Sequence, residues 1–401
     1  LKCRSFFLYL QKKYLNMRKL FLSIACLFII QILCSQEWHY INSKSNESYS
    51  TKLIKSTNES VVIDLSLNGF YTNQTSLPNS VIITNEDMAP LSEAGQPNIP
   101  SLSIPIIIND MGKMDVRVSK VEYLEYNDIE IAPSKGEFPR SINPDDVPYT
   151  YGDVYQQNEF FPATNVKLDS PYILRDFRAQ NIIVTPFAYN PVTKTLRVMH
   201  KMTIEVVSTK EEGENELARR SNTINMDSEF EKMYSNRFIN YKESGAKYDI
   251  IEEEGDLLII CHDAFMSAMQ PFVEWKRATG RNTTIVGTSV AGTSADNIKN
   301  YITSQYEDNP NLVHVLLVGD YQQLPGKYLT MGSGYFDDYS GYSDWWFGQL
   351  EGNDRYNELI IGRFSAESPG DVVTQVTKVI NYERDIDTDA SWINVAQGVA
   401  K

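Results

Sequence analysis

Cysteine is scarce in this 401-residue sequence, and its placement excludes more than it suggests. Of the four cysteines, Cys3, Cys26 and Cys34 fall in the first 35 residues, which leaves Cys261 alone in the remainder. One thiol cannot close an intramolecular disulfide, so packing or metal binding must hold the body of the chain together. Long apolar runs are also missing, with one exception. Leu20–Leu33 is apolar, follows Met17-Arg18-Lys19 and precedes Cys34-Ser35-Gln36. That is the layout of a secretory signal peptide, and it falls short of the roughly 20 apolar residues a membrane span needs. The expectation is upstream sequence over 1–16, a leader from Met17 to Ser35, and an exported or cell-surface product. Basic residues are the third shortage. The net charge is −15, and residues 1–35, upstream sequence and leader together, carry off six Lys and Arg residues and no acidic ones. What remains has 31 basic against 52 acidic residues, a net charge of −21. Non-specific binding to nucleic acid runs on phosphate neutralisation, and this balance argues against it. Nucleotide motifs are absent as well: Gly319–Lys327 lacks P-loop spacing, and Gly332-Ser333-Gly334 precedes no helix pattern.

What is present divides into two styles. Over residues 36–208, short β-type runs recur at Ser60–Leu67, Ser80–Thr84, Ser101–Ile108, Lys113–Tyr123, Gln180–Phe187 and Thr195–Ser208. Pro, Gly and Asn punctuate them, with a hairpin centred on Asn190-Pro191, and the whole reads as a β-sandwich. Residues 209–247 are highly charged and contain Arg219-Arg220 and a short helix pattern over Ser228–Tyr234. This segment reads as a solvated linker open to proteolysis. From residue 248 apolar strands alternate with helices: Asp256–Cys261, Thr283–Val286, Leu312–Val318 and Leu359–Arg363 as strands, and a helix opened by Ser368-Pro369. A further strand is expected from Ile393. Such alternation predicts a parallel sheet covered on both faces, incomplete at the C-terminus, with functional groups at the carboxyl ends of its strands.

Few residues offer chemistry. Cys261-His262 pairs a thiol with an imidazole in sequence, yet neighbours in a strand point to opposite faces and cannot form a nucleophile–base pair. A lone Cys in an apolar strand is a core residue. His200 and His314 lie in strand-like runs and carry no signal. The acidic stretch Gly319–Phe364 says more. Asp354, Tyr356 and Glu358 alternate, so an extended chain places them on one side. With backbone carbonyls, and with Asp320 from a strand end, these carboxylates could form the oxygen-rich shell that Ca²⁺ prefers; the rival reading is a solvated acidic loop.

Several runs carry a family resemblance. Phe347–Ser368 (FGQLEGNDRYNELIIGRFSAES), Phe272–Lys276, Val315–Asp320 and Lys378–Arg384 resemble the gingipain-like (C25) cysteine peptidases in order and spacing, over about residues 250–401. Residues 36–245 are similar in layout to that family's pro-domain. The resemblance implies a caspase-like catalytic domain behind a β-rich pro-domain, an intramolecular contact between the two, protein or peptide substrates, and export by secretion machinery. It also implies cleavage of a zymogen within 209–247, at Arg219-Arg220 or Lys247. The family's Gly-His-Gly turn and its Ala-Cys-Val-Asn-Gly-like nucleophile motif do not occur here, so no catalytic residue is assigned and both are expected beyond Lys401. The chain by itself is expected to be inactive. A structural Ca²⁺ site is implied at Asp320, Asp354 and Glu358 by side chain, and at Glu351 and Tyr356 by backbone carbonyl. The alternatives are a non-catalytic, calcium-stabilised secreted binding or surface protein on the same scaffold, and a truncated product acting as inhibitor or chaperone.

Overall fold

The computed structural model describes residues 36–386 apart from 43, 44, 46, 139, 140, 220, 221 and 332–338, and in addition 395 and 398. The leader, Arg220 and the strand expected from Ile393 lie outside the described residues.

The first part is β-rich. Along Ser60–Leu67, Val61, Ile63, Leu65 and Leu67 are buried at alternate positions, the period of a strand with one face on a core. Two sheets supply most of that core, with Phe70 and Ile83 added from a third. One takes its strands from Tyr49–Ser56, Ser60–Leu67, Thr195–Ser208 and Phe187–Asn190, and the other pairs Pro100–Ile107 with Phe177–Val184. Ile63, Ile104, Ile106, Ile182, Val184 and Ile204 meet between them. The hairpin forms at the expected place, its arms Phe187–Asn190 and Thr195–Ser208 antiparallel. Met114–Tyr126 pairs with Thr195–Ser208 through two register shifts, and cross-strand ion pairs such as Arg117–Glu205 and Lys201–Glu122 tie it down. Bulges and charges of this kind discourage pairing with another chain.

The second part is a four-stranded parallel sheet in the order Thr283–Gly287, Asp256–Cys261, Leu312–Val318, Ile360–Phe364. Leu312–Val318 is central and apolar nearly throughout, as a strand covered on both faces must be. Met266–Ala278 and Pro369–Arg384 cover one face through Met269, Phe272, Val372 and Val376. Ala295–Asp308 covers the other through Ile298 and Ile302. Ser294 caps its helix, and Ser368 caps its own as expected, in a reciprocal box with Asp371.

Between the two parts the charged segment departs from expectation. It is not a free linker. Thr223–Met226 forms a parallel strand pair with Asp249–Glu252, and Ser228–Arg237 is a helix that buries Phe230 and Tyr234. Ile224, Met226, Phe230, Tyr234 and Phe238 build a third core with Tyr172, Leu174 and Phe177 from the β-rich part and Val313 from the central strand. Charge density misled here because the apolar residues sit between the charges at helical spacing. Arg219 is only 14% exposed and bonded to Asp110 at 2.5 Å, so its place in a dibasic pair does not make it an open cleavage site.

Candidate functional site

The acidic loop lies at the amino end of the central sheet. It runs from the Trp345–Gly348 turn to Ile360–Phe364 and is closed by Glu358 N–H donating to Gly348 O at 2.9 Å. Glu358 is fully buried. Its Oε2 accepts from Leu350 N at 2.7 Å and Glu351 N at 3.0 Å, while Oε1 has no hydrogen-bond partner. Burial pushes its carboxyl up to about 7, and the charges of Asp354 and Glu351 add to that. Asp354 is also raised by burial; its Oδ1 accepts from Tyr356 N and its Oδ2 from Ile173 N, both at 2.8 Å. Gly352 makes the approach possible. Its φ is +70°, and a Cβ there would stand 3.0 Å from Asp354 Oδ2 and 3.3 Å from both Asn215 and Ile173.

Of the residues expected to share a cation, Glu351, Asp354, Tyr356 and Glu358 lie in this loop. Asp320 does not join them. It follows Val318 at the carboxyl end of the central strand, whereas Glu358 shares a guanidinium with Leu312 at the amino end, roughly 20 Å away along the strand. Asp320 Oδ1 accepts from Ser365 Oγ at 2.7 Å, and that bond holds its carboxyl below the usual range. Among the described residues no group of three or more His, Cys, Asp or Glu comes together to hold a metal. The oxygen-only loop still offers one unpartnered buried carboxylate oxygen, Glu358 Oε1, with a second carboxylate, Asp354, within electrostatic reach. That donor chemistry fits a hard cation.

Cys261 is fully buried, and burial pushes its thiol up to about 12. A nucleophilic thiol needs the opposite shift, so the core reading of Cys261 agrees with its surroundings. His314, silent in the sequence, does have partners: Nε2 lies 2.8 Å from Glu229 Oε2, and Nδ1 lies 2.7 Å from Arg281 Nη1. Glu229 comes from the helix Ser228–Arg237, so no local pattern could reveal the pair.

The sequence reading missed the centre of the contact between the two parts. Arg175, 5% exposed with φ of 45°, reaches from the β-rich part into the edge of the parallel sheet. Nη1 donates to Leu312 O and Glu358 O, and Nη2 to Pro310 O, each at 2.8 Å. Its guanidinium lies 5.2 Å from the Phe230 ring. Asp176, partly buried and raised by that burial, accepts from Tyr234 Oη at 2.8 Å. An Arg-Asp pair interrupting the apolar run Tyr172–Phe177 was the available signal.

Comparison with known proteins accounts for both parts. The Propeptide_C25 family model matches residues 44–247, and the model for Peptidase family C25 matches residues 250–401. Gingipain R1 of Porphyromonas gingivalis is 36% identical over 359 residues, covering 88% of this chain and 35% of the relative. Gingipain R2 of the same organism is 37% identical over 332 residues, covering 82% of this chain and 43% of the relative. This chain therefore spans well under half the length of these curated relatives. A solved complex of the pro- and mature domains of Porphyromonas gingivalis RgpB aligns at 33% identity and a TM-score of 0.44, covering 48% of this chain and 97% of that one. With a propeptide match followed directly by a peptidase match, the chain belongs to the C25 cysteine peptidase family.

Proposed function

We propose that residues 36–247 are the pro-domain, and residues 250–401 the first half of the catalytic domain, of an exported cysteine endopeptidase zymogen. The contact at Arg175 carries this reading: a buried cation from the propeptide match satisfies three carbonyls of the peptidase match. A pro-domain seated this way holds the precursor as one folded unit. In the complete enzyme a Cys thiolate activated by His, neither of them among residues 1–401, would attack the peptide carbonyl of a protein substrate and pass through an acyl-enzyme to hydrolysis. Cleavage falls at Lys247, where the propeptide match ends, and not at the enclosed Arg219. The loop Glu351–Glu358 would hold a structural Ca²⁺ through the side chains of Glu358 and Asp354, fixing the loop on which the pro-domain sits. Asp320 lies outside that group.

The test is to read the gene past codon 401 and express the full product. Expected are a Gly-His-Gly turn and a strand-ending Cys downstream, and peptide hydrolysis that appears after cleavage near Lys247. Thiol alkylation should abolish that hydrolysis, and Cys261→Ser should leave it unchanged. A continuing frame that lacks both motifs would remove the enzyme reading and leave a binding protein on a peptidase scaffold.

A further inference from the structure

The pro-domain grips the acidic loop at five points, each on or next to a residue of the candidate cation shell. Ile173 N–H donates to Asp354 Oδ2. Asn215 Oδ1 accepts from Asn353 N–H at 2.8 Å. Tyr172 stacks on Tyr356 with ring centroids 3.9 Å apart, and Arg237 donates to the Tyr356 hydroxyl at 3.1 Å. Arg175 donates to Glu358 O. We propose that Glu351–Glu358 is a joint docking surface on which Ca²⁺ and the pro-domain bind together, each tightening the other. The proposal rests on the cation reading of this loop given above.

Three observations set the direction of the coupling. Each carboxylate oxygen has two lone-pair directions, so the N–H groups of Ile173 and Tyr356 leave one free on each Asp354 oxygen, and Glu358 Oε1 has no partner. The Ile173 N–H also orients Asp354, as an outer-shell hydrogen bond orients a metal ligand. Docking strips water from carboxylates whose charges face one another, a cost that a divalent cation offsets. Arg175 cannot take the cation's place. Its guanidinium is directed at carbonyls and lies 3.8 Å from Asp176, which balances its charge. Linkage then requires reciprocity: whatever calcium adds to pro-domain docking, docking adds to calcium affinity.

The experiment uses the intact chain with calcium chloride or EGTA, read by calorimetric calcium titration and by hydrogen exchange over residues 172–175 and 350–358. Calcium should slow exchange of the Ile173 amide about tenfold, and Arg175→Lys, which cannot span three carbonyls, should weaken calcium binding about tenfold. Asn215→Ala, at a half-buried loop position, should weaken it in the same direction and serves if Arg175→Lys fails to fold. Calcium binding with unchanged or faster Ile173 exchange, or with affinity indifferent to both substitutions, overturns the coupling and leaves the cation site standing. Absence of calcium binding, or binding that survives Asp354→Asn, overturns the cation site and the coupling with it.

Discussion

The two ends of the central strand Leu312–Val318 hold acidic residues in opposite surroundings. At the carboxyl end Asp320 is bonded to the Ser365 hydroxyl and keeps its charge easily. At the amino end Glu358 is sealed beneath the pro-domain's Arg175 and ionises only near neutrality. Parallel sheets usually place chemistry at the carboxyl ends of their strands, and the pro-domain's Arg175 does not reach that end of the central strand. It anchors at the other end, where the exposed backbone carbonyls need donors. The contact between the two parts and the Asp320–Ser365 pair thus lie at opposite ends of one strand.

The sharpest way to break this contrast is Arg175→Ala. It strands three carbonyls and takes the neighbouring charge away from the partly buried Asp176, and about 3–5 kcal/mol of stability should be lost in chemical denaturation. Next in size is the cation. Chelation should lower the melting temperature, and Asp354→Ala should remove that dependence; an unchanged melting point on chelation would sink the loop as a calcium site. A smaller effect is expected from pH at His314. Burial, with the charge of Arg281, lowers its affinity for a proton below the ordinary value of 6.5, although Glu229 works the other way. The unfolded chain therefore takes the proton more readily, so the contribution is complete above about pH 6.5 and fades below it. Melting curves of wild type and His314→Gln between pH 5 and 8 should converge at the acid end. Smallest is Asp320→Asn, which should leave the calcium dependence of melting unchanged. A change as large as that of Asp354→Ala would show the two ends to be one site.

Much of the fold was legible because its elements carry local signals. Alternation marked Ser60–Leu67, a continuous apolar run marked Leu312–Val318, and Ser-Pro marked the start of Pro369–Arg384. The strands Gln36–Tyr40, Tyr49–Ser56 and Gly69–Gln74 were missed. The first two are largely exposed edge strands and lack a clean apolar face. For the site, the alternation of Asp354, Tyr356 and Glu358 located the loop, and resemblance supplied its meaning. Spacing could not show that Asp320 lies at the far end of its strand. Nor could it reveal Arg175, Glu229 or Asn215, whose partners lie more than 80 positions away in the chain.

The parallel pair Thr223–Met226 with Asp249–Glu252 brackets Lys247. A cut at Lys247 would separate the chain covalently while the ladder still held the two pieces, from Asp249 just past the cut and from Met226 about 20 residues before it. Nicking and parting are then distinct events. A nicked molecule would migrate intact under native conditions and as two pieces only once denatured. How slowly the two pieces part would be set by this small ladder and the Arg175 contacts, and not by the protease that made the cut.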